Sequence, residues 1–443
     1  MPNVTVLGVG SDNKTPTIWT VGGGFNQAAI LKTAQSLANA ITSAIGTTAV
    51  TPFTYTGTLP TSPGNANVLY VGSPTSPFGS AYSPISLTGS YYGVVDNGTN
   101  PVTITGNGNA SGQFPVSIIA GTGGITYNNL LTGNSVVGAG TIVAAGGNNA
   151  ITIQGSPATV GGFDILLDSG TNTIDAAAGN NSINAGTGNN AVTLGAGANY
   201  LNSNGSDTVI GGTGTDTINV QAGSVTYTGG SGGLLFQGGG LGQASSVVGG
   251  TGAVTAYGGL GGGYIKGGIS ETPNILIGQA GQTTLVSASN AGDSLFSAAG
   301  GDSLVGSSGG NDTFYSGGSG DTVAFGGGND TFTAPNHFGP PFTFPSSISD
   351  VFQFNAASTH GGNDIINNFT VGADSISLTG YSVTSDTITL TNYKSSVNAS
   401  VGVTVPGVTG APGWNSVISL SDGTTITITN VTTLSHFTAS GIS

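Results

Sequence analysis

Positive charge is almost missing from this chain: its 443 residues include four lysines and no arginine, against 18 acidic residues, for a net charge of −14. Nucleic acid is therefore excluded as an expected partner, because neutralising phosphates takes Lys and Arg. Anionic membrane surfaces are disfavoured for the same reason. Cysteine is absent, which removes disulfides and thiolate metal sites. Glutamate occurs once, at Glu271, and histidine only at His337, His360 and His436. No H-E-x-x-H is present, and no G-x-S-x-G accompanies a suitable acid and histidine, so neither a zinc protease nor a lipase is expected. The nearest approach to a catalytic carboxylate pair is Asp164 with Asp168 in FDILLDSG, read as turn and coil-edge residues. No enzyme is expected. No stretch approaches the ~18 consecutive apolar residues of a membrane span, and MPNVTVLGVGSDNKTPT lacks the basic segment and apolar core of a secretory signal.

What is present is glycine, at 81 residues, together with 37% hydrophobic residues in Val/Ile/Leu/Thr/Tyr-rich segments, a combination that predicts ordered β-structure. The run AGDSLFSAAGGDSLVGSSGGNDTFYSGGSGDTVAFGGGNDTF places aspartate at Asp293, Asp302, Asp312, Asp321 and Asp330, in steps of 9, 10, 9 and 9. Each follows a glycine or Gly-Asn, among them Gly310, Gly320 and Gly328, and stands two residues before an apolar side chain: Leu295, Leu304, Phe314, Val323 or Phe332. The period is too short for a helical repeat. A nonapeptide holds one turn and one short strand, so two of them make one coil of a flattened parallel β-helix with the apolar residue inward.

In such coils, residues about 18 apart stack at ~4.8 Å. Asp293 then pairs with Asp312 and Asp312 with Asp330 on one edge, and Asp302 with Asp321 on the other. Two bare carboxylates at that distance repel by ~1 kcal/mol in water and ~3.5 kcal/mol at an effective dielectric of 20. A hard divalent cation turns the repulsion into attraction. Calcium suits the pattern, since it takes 6–8 oxygen ligands from carboxylates and turn carbonyls.

These residues resemble the RTX (haemolysin-type) calcium-binding nonapeptide, G-G-x-G-x-D-x-U-x with U apolar. GGTGTDTIN, from Gly211 through Gly212, Gly214 and Asp216 to Asn219, matches every fixed position, and GGGNDTF is a partial copy. The terminal element around Asp364, Ile366, Phe369, Asp374, Ile376 and Leu378 is similar to the way such arrays finish. The resemblance covers roughly 172–219 and 274–443. It implies export without a cleaved leader, through a C-terminal signal, and calcium-coupled folding outside the cell.

Elsewhere the register is kept with asparagine. Asn172, Asn181, Asn190 and Asn199 recur every nine residues and pass into Asp207 and Asp216. An amide needs no metal to avoid repulsion, so this section is expected to be metal-independent, with Asp216 facing Asn199 as a half-site. A helix is predicted over FNQAAILKTAQSLANAITSAIG, with Asn26 as N-cap and Gly46 as its stop, packing against the first β-layer or capping the solenoid end, with a subunit interface as the sharper alternative. Residues 220–272 lose the register, and solenoid, insertion and contact surface all stay open there.

The expected fold is all-β: a parallel β-roll or β-helix solenoid with one N-terminal helix and a β-rich C-terminal cap. Four segments are expected: 1–101, an N-terminal strand, helix and Pro/Tyr-rich region; 102–271, a Gly/Asn-rich solenoid; 272–335, the calcium-binding roll; and 336–443, the cap with the export signal. The expected function is that of a secreted calcium-binding structural protein, forming homo-oligomers or polymers in a bacterial surface layer, filament or matrix. An adhesin binding a cell-surface glycan is the alternative. Membrane insertion is not expected.

Overall fold

The computed structural model describes residues 3–9, 16–21, 25–46, 50–55, 66–72, 84–87, 91–106, 116–129, 139–155, 161–333, 349–356, 361–370, 373–381, 389–394, 400–401, 414–420, 422–429, 437–438 and 441–442. His337, His360 and His436 lie outside them. The chain forms two compact units, Met1–Tyr227 and Thr228–Ser443.

The first unit begins with an antiparallel pair, Val4–Val9 against Pro16–Val21, followed by the helix α1, Ala28–Gly46. From Val50 onward strands pair in parallel; Val50–Thr54 pairs with Ala66–Val71, and after these two alternate strands in the sequence go to alternate sheets. Phe163–Leu167 pairs with Ser182–Asn184, which pairs with Asn199–Ser203, while the intervening Thr173–Ala176 pairs with Ala191–Leu194. Each coil thus contributes one strand to each of two sheets, the arrangement of a parallel β-solenoid. Its core is a pair of apolar stacks. Ile142, Ile165, Ile183 and Leu201 fill one side and Ile151, Ile174, Val192 and Val209 the other, all buried.

The helix lies on the outside of one sheet. Ile30, Ala34, Ala38 and Ile41 repeat on one face and are fully buried in a cluster with Val68, Tyr70, Val95, Ile119 and Val143, whose side chains leave that sheet away from the solenoid core. The stop at Gly46 is as the sequence indicates. Its start is not: Gln27 supplies the carbonyl that accepts the first helical bond, from Leu31, so Asn26 is not the N-cap residue. The capping carboxylate comes from far away in sequence. Asp168 accepts the amides of Asn26 and Gln27 at 2.6 and 2.8 Å.

In the second unit the same alternation continues through the glycine-dense stretch. Leu234–Gln237 pairs with Val254–Tyr257 and Ser245–Val248 with Gly263–Lys266, which makes this region part of the solenoid. Leu295, Phe314 and Phe332 stack in one sheet and Leu304 and Val323 in the other, buried as their two-residue offset from the aspartates requires. Beyond the array the pairing turns antiparallel: Thr389–Lys394 meets Trp414–Ser419, which meets Thr425–Ile428. The C-terminal cap is therefore β-rich. Among the described residues no helix is long and apolar enough to cross a membrane.

Asp168 is 1% exposed, and its loss strands two amides at the helix start. Asp168→Ala is expected to cost about 1–3 kcal/mol, measured by chemical denaturation, whereas Asp164→Ala, at an exposed outward position, is expected to change stability little.

Candidate functional site

The aspartates sit where each turn enters a strand, with the same inward parity as the apolar residue two positions on. One bond recurs at that position wherever the next coil carries Asp or Asn there; in the glycine-dense coils the amides of Leu234 and Gly263 bond instead to the carbonyls of Ala253 and Gln282. A carboxylate Oδ1 accepts the backbone amide of the equivalent residue one coil earlier: Asn274 to Asp293 at 2.7 Å, Asp293 to Asp312 at 2.7 Å, Asp312 to Asp330 at 2.8 Å and Asp330 to Asp364 at 2.9 Å. On the opposite edge the series runs Thr283 to Asp302, Asp302 to Asp321, Asp321 to Asp350 and Asp350 to Asp374, at 2.6 to 3.0 Å. The pairs 293/312, 312/330 and 302/321 thus stack as their spacing implies.

In the first unit, asparagine occupies the same position and makes the same bond, from Asn149 to Asn172 to Asn190 and from Asn181 to Asn199. Asparagine also makes a second one. The amide nitrogen donates to the Oδ1 of the next coil, at 2.8 to 3.0 Å for Asn149, Asn172 and Asn181. Asp207 and Asp216 end these series as acceptors from Asn190 and Asn199, so Asp216 faces an amide, as its spacing indicates.

Aspartate has no such proton to give. In the second unit its other oxygen turns to the loop. Asp293 Oδ2 accepts the amides of Ala288 and Ser289, Asp312 Oδ2 that of Ser307, and Asp330 Oδ2 that of Gly326. Serine hydroxyls fill the remaining space and are oversubscribed. Ser297 Oγ lies 2.8 Å from Asp302 Oδ2, 2.9 Å from Asp321 Oδ2 and 2.6 Å from the carbonyl of Ala299. A hydroxyl carries one proton, and ionised carboxylates and carbonyls only accept. Two of those three contacts therefore lack a hydrogen. Ser287 Oγ stands in the same position between Asp293 Oδ2 and Asp312 Oδ1, and Ser316 Oγ between Asp321 Oδ2 and the Gly318 carbonyl. Asp350 Oδ2 is buried without a well-formed bond.

The electrostatics follow. Burial pushes Asp302 up to about 6, Asp350 and Asp364 to about 7 and Asp330 to about 8, and neighbouring carboxylates add to it: Asp321 beside Asp302, Asp321 and Asp374 beside Asp350, Asp312 and Asp364 beside Asp330. Burial raises Asp312, Asp374, Asp207 and Asp216 as well. Only hydrogen bonds oppose these shifts; no lysine contributes. The carboxylate and hydroxyl oxygens of these stacked pairs are the groups that could hold a hard cation. Among the described residues no point gathers three or more acidic or histidine side chains, so the further oxygens at each cluster are hydroxyls and carbonyls.

The glycines of the motif have a steric reason. A Cβ on Gly212 or Gly214 meets the carbonyl of Gly195 or Gly197 one coil earlier, at 1.9 and 1.8 Å, and one on Gly211 meets the Tyr227 hydroxyl at 2.1 Å. Gly328 combines a φ of +109° with a Cβ position 2.0 Å from the Gly310 carbonyl, while Gly320 has a φ of +83°. Gly310 lies against Ser307 Oγ and Asp312 Oδ1. Asp164 and Asp168 do not converge: the first faces out from its strand and the second holds the helix.

Sequence reasoning missed the serines. Their signal was available, since Ser287, Ser297, Ser307 and Ser316 recur in steps of 10, 10 and 9, five or six residues ahead of an aspartate. It also missed Asp350, which follows Asp321 after 29 residues because an insertion breaks the period.

Raised carboxyl values set a direction with pH. Between the ordinary 3.8 and the folded values near 6 to 8, the folded chain holds protons that the unfolded chain has lost, so this contribution to stability falls as pH rises. In chelator, the melting temperature of the second unit is expected to be higher at pH 5 than at pH 8.5 by circular dichroism; a rise toward alkaline pH contradicts the buried ladder. No protein-family model, curated protein or solved structure matches this chain, so its site rests on this geometry alone.

Proposed function

We propose that the chain is an exported structural protein whose C-terminal unit is completed by calcium and which self-associates into a bacterial surface layer, filament or matrix. The observation that carries it is the proton deficit at Ser297, where two buried carboxylates, a hydroxyl and a carbonyl meet without a positive group. Asp293, Asp302, Asp312 and Asp321, with Ser287, Ser297 and Ser316, are the residues suited to hold the ion. The ion would supply positive charge to stacked carboxylates. The chain's own part is to bury and orient those oxygens by the inter-coil amide bond. Where calcium is scarce, as inside a cell, like charges at ~4.8 Å oppose closure of the coils, and folding is deferred until the chain is outside. The likeness to RTX nonapeptides supports the same reading.

Asparagine marks the internal control. In chelator at pH 8.5, Asp330→Asn is expected to raise stability by about 1–3 kcal/mol, since it removes a buried like charge and restores a donor toward the next coil. With calcium present the gain is expected to shrink or reverse. Excess chelator alone is expected to lower β-content partially, leaving the asparagine coils, and to disperse assemblies seen by negative-stain electron microscopy. An unchanged circular dichroism spectrum in chelator would sink the proposal.

A glycan-binding adhesin is the second reading. It draws on Tyr200, 40% exposed, whose hydroxyl donates to Asn202 Oδ1 beside the outward Asn219. It requires that the protein bind a polysaccharide as a monomer and that Tyr200→Ala abolish this binding, with calcium-dependent folding unaffected.

A further inference from the structure

One sheet of the second unit presents an outer face unlike the others. It runs from Leu234–Gln237 through Val254–Tyr257, Ile275–Ile277, Ser294–Phe296, Thr313–Tyr315, Thr331–Thr333 and Asn363–Asn367 to Thr425–Ile428. The registers align its outward residues in two columns. Tyr257, Ile277, Phe296 and Tyr315 form a bulky column, in which Phe296 and Tyr315 stack at 4.5 Å and 2°. Thr255, Ser294, Thr313 and Thr331 form a small one beside it, interrupted by Ile275. Leu235, Tyr257, Ile275 and Ile365 are 37 to 41% exposed.

No outward residue of this face is charged, in a chain of net charge −14. Other outer sheet faces carry Asp164, Asp175 or Lys266. In the first unit, the comparably apolar face bearing Val68, Tyr70, Val95 and Ile119 is covered, by α1.

We propose that this face docks on the same face of a second copy of the chain, about a two-fold axis parallel to the direction in which the coils stack. Three features select that occupant. A partner whose rows repeat at the same ~4.8 Å pitch is another solenoid. The two-fold sets the bulky column of one copy over the small column of the other, with Ile275 opposite the partner's Ile277, so large side chains enter the space left by Thr and Ser. An uncharged face is also where two copies of net charge −14 meet with least repulsion. Seven inter-strand steps give a patch roughly 34 Å by 13 Å, about 900 Å² for the two copies before side-chain relief, the size of a weak, reversible interface. The proposal rests on the reading of the chain as self-associating, and it needs the coils of the second unit to be folded.

The test is sedimentation of the full chain up to about 100 µM, in calcium, at low and high salt. Dimers are expected, tightening as salt screens the like net charges. Phe296→Lys is expected to weaken association about tenfold or more with an unchanged circular dichroism spectrum, while Tyr200→Lys leaves association as it is. Should Phe296→Lys fail to fold, Thr313→Lys places the charge in the same face from a solvent-facing position. The axis is checked separately: Ser294→Cys and Phe296→Cys copies, mixed and oxidised, are expected to cross-link to each other in preference to themselves. Wild-type protein that is monomeric throughout overturns both this face and the self-associating reading. Sheets or dimers that persist in the lysine variants overturn the face alone.

Discussion

Every coil of the ladder depends on one backbone amide and one side-chain oxygen. The amide at the turn exit has no strand partner, because the pairing begins just after it, and burial forbids it water. Oδ1 of the residue below supplies the acceptor, from Asn149 to Asn172 as from Asp312 to Asp330. A bond of this kind contributes about 0.5–1.5 kcal/mol when neutral and more to a charged acceptor, while an unpaired buried amide costs about 1–3 kcal/mol. Repetition gives it weight. It fixes which residue of one coil stands over which residue of the next, so the apolar stacks two positions away fall into register.

That constraint explains which residues the ladder tolerates. Its acceptor has to reach back one coil from a short side chain, and Asp and Asn both do so. They differ in what remains after that bond is made. Asparagine keeps a donor, which satisfies the Oδ1 of its neighbour and closes the chain of bonds without outside help. Aspartate keeps an acceptor, and its surroundings must supply something positive. In the second unit they supply loop amides and serine hydroxyls, which do not provide enough protons for the oxygens they meet.

Much of this architecture was legible in the sequence, and the limits have physical causes. The period of nine, with an apolar residue two places after each Asx, gave the coil, its inward face and the stacking of Asp293 on Asp312. It could do so because a two-residue offset preserves parity in a strand. The start of α1 was not legible, since its cap is Asp168, 142 residues from Asn26, and a local reading supplies only local caps. Asp350 was hidden because 29 residues, rather than about 18, separate it from Asp321, whose amide it nonetheless accepts. The serines carry no charge, so a repulsion argument does not reach them; their part lies in the count of protons. At residues 220–272 glycine density concealed the pattern; the inward Phe236, Val247 and Ile265 keep it with few side chains of other kinds.

The distribution of Asn and Asp carries the functional argument further than the motif does. If a charged acceptor were needed for the inter-coil bond, asparagine could not hold the same position at 3.0 Å. If cations were needed for the coil itself, the first unit would have no means to close. The backbone bond is therefore common to both sections, and the carboxylates add a dependence on the surroundings to a scaffold that can be built without one. A dependence concentrated in one unit, with only Asp207 and Asp216 of the ladder in the other, has a mechanical consequence. Loss of protons weakens the aspartate coils while the asparagine coils keep their register, so the chain opens from a defined section rather than throughout. Under the proposed export, the switch between unfolded and ordered chain would then lie in the part with the most stacked charge.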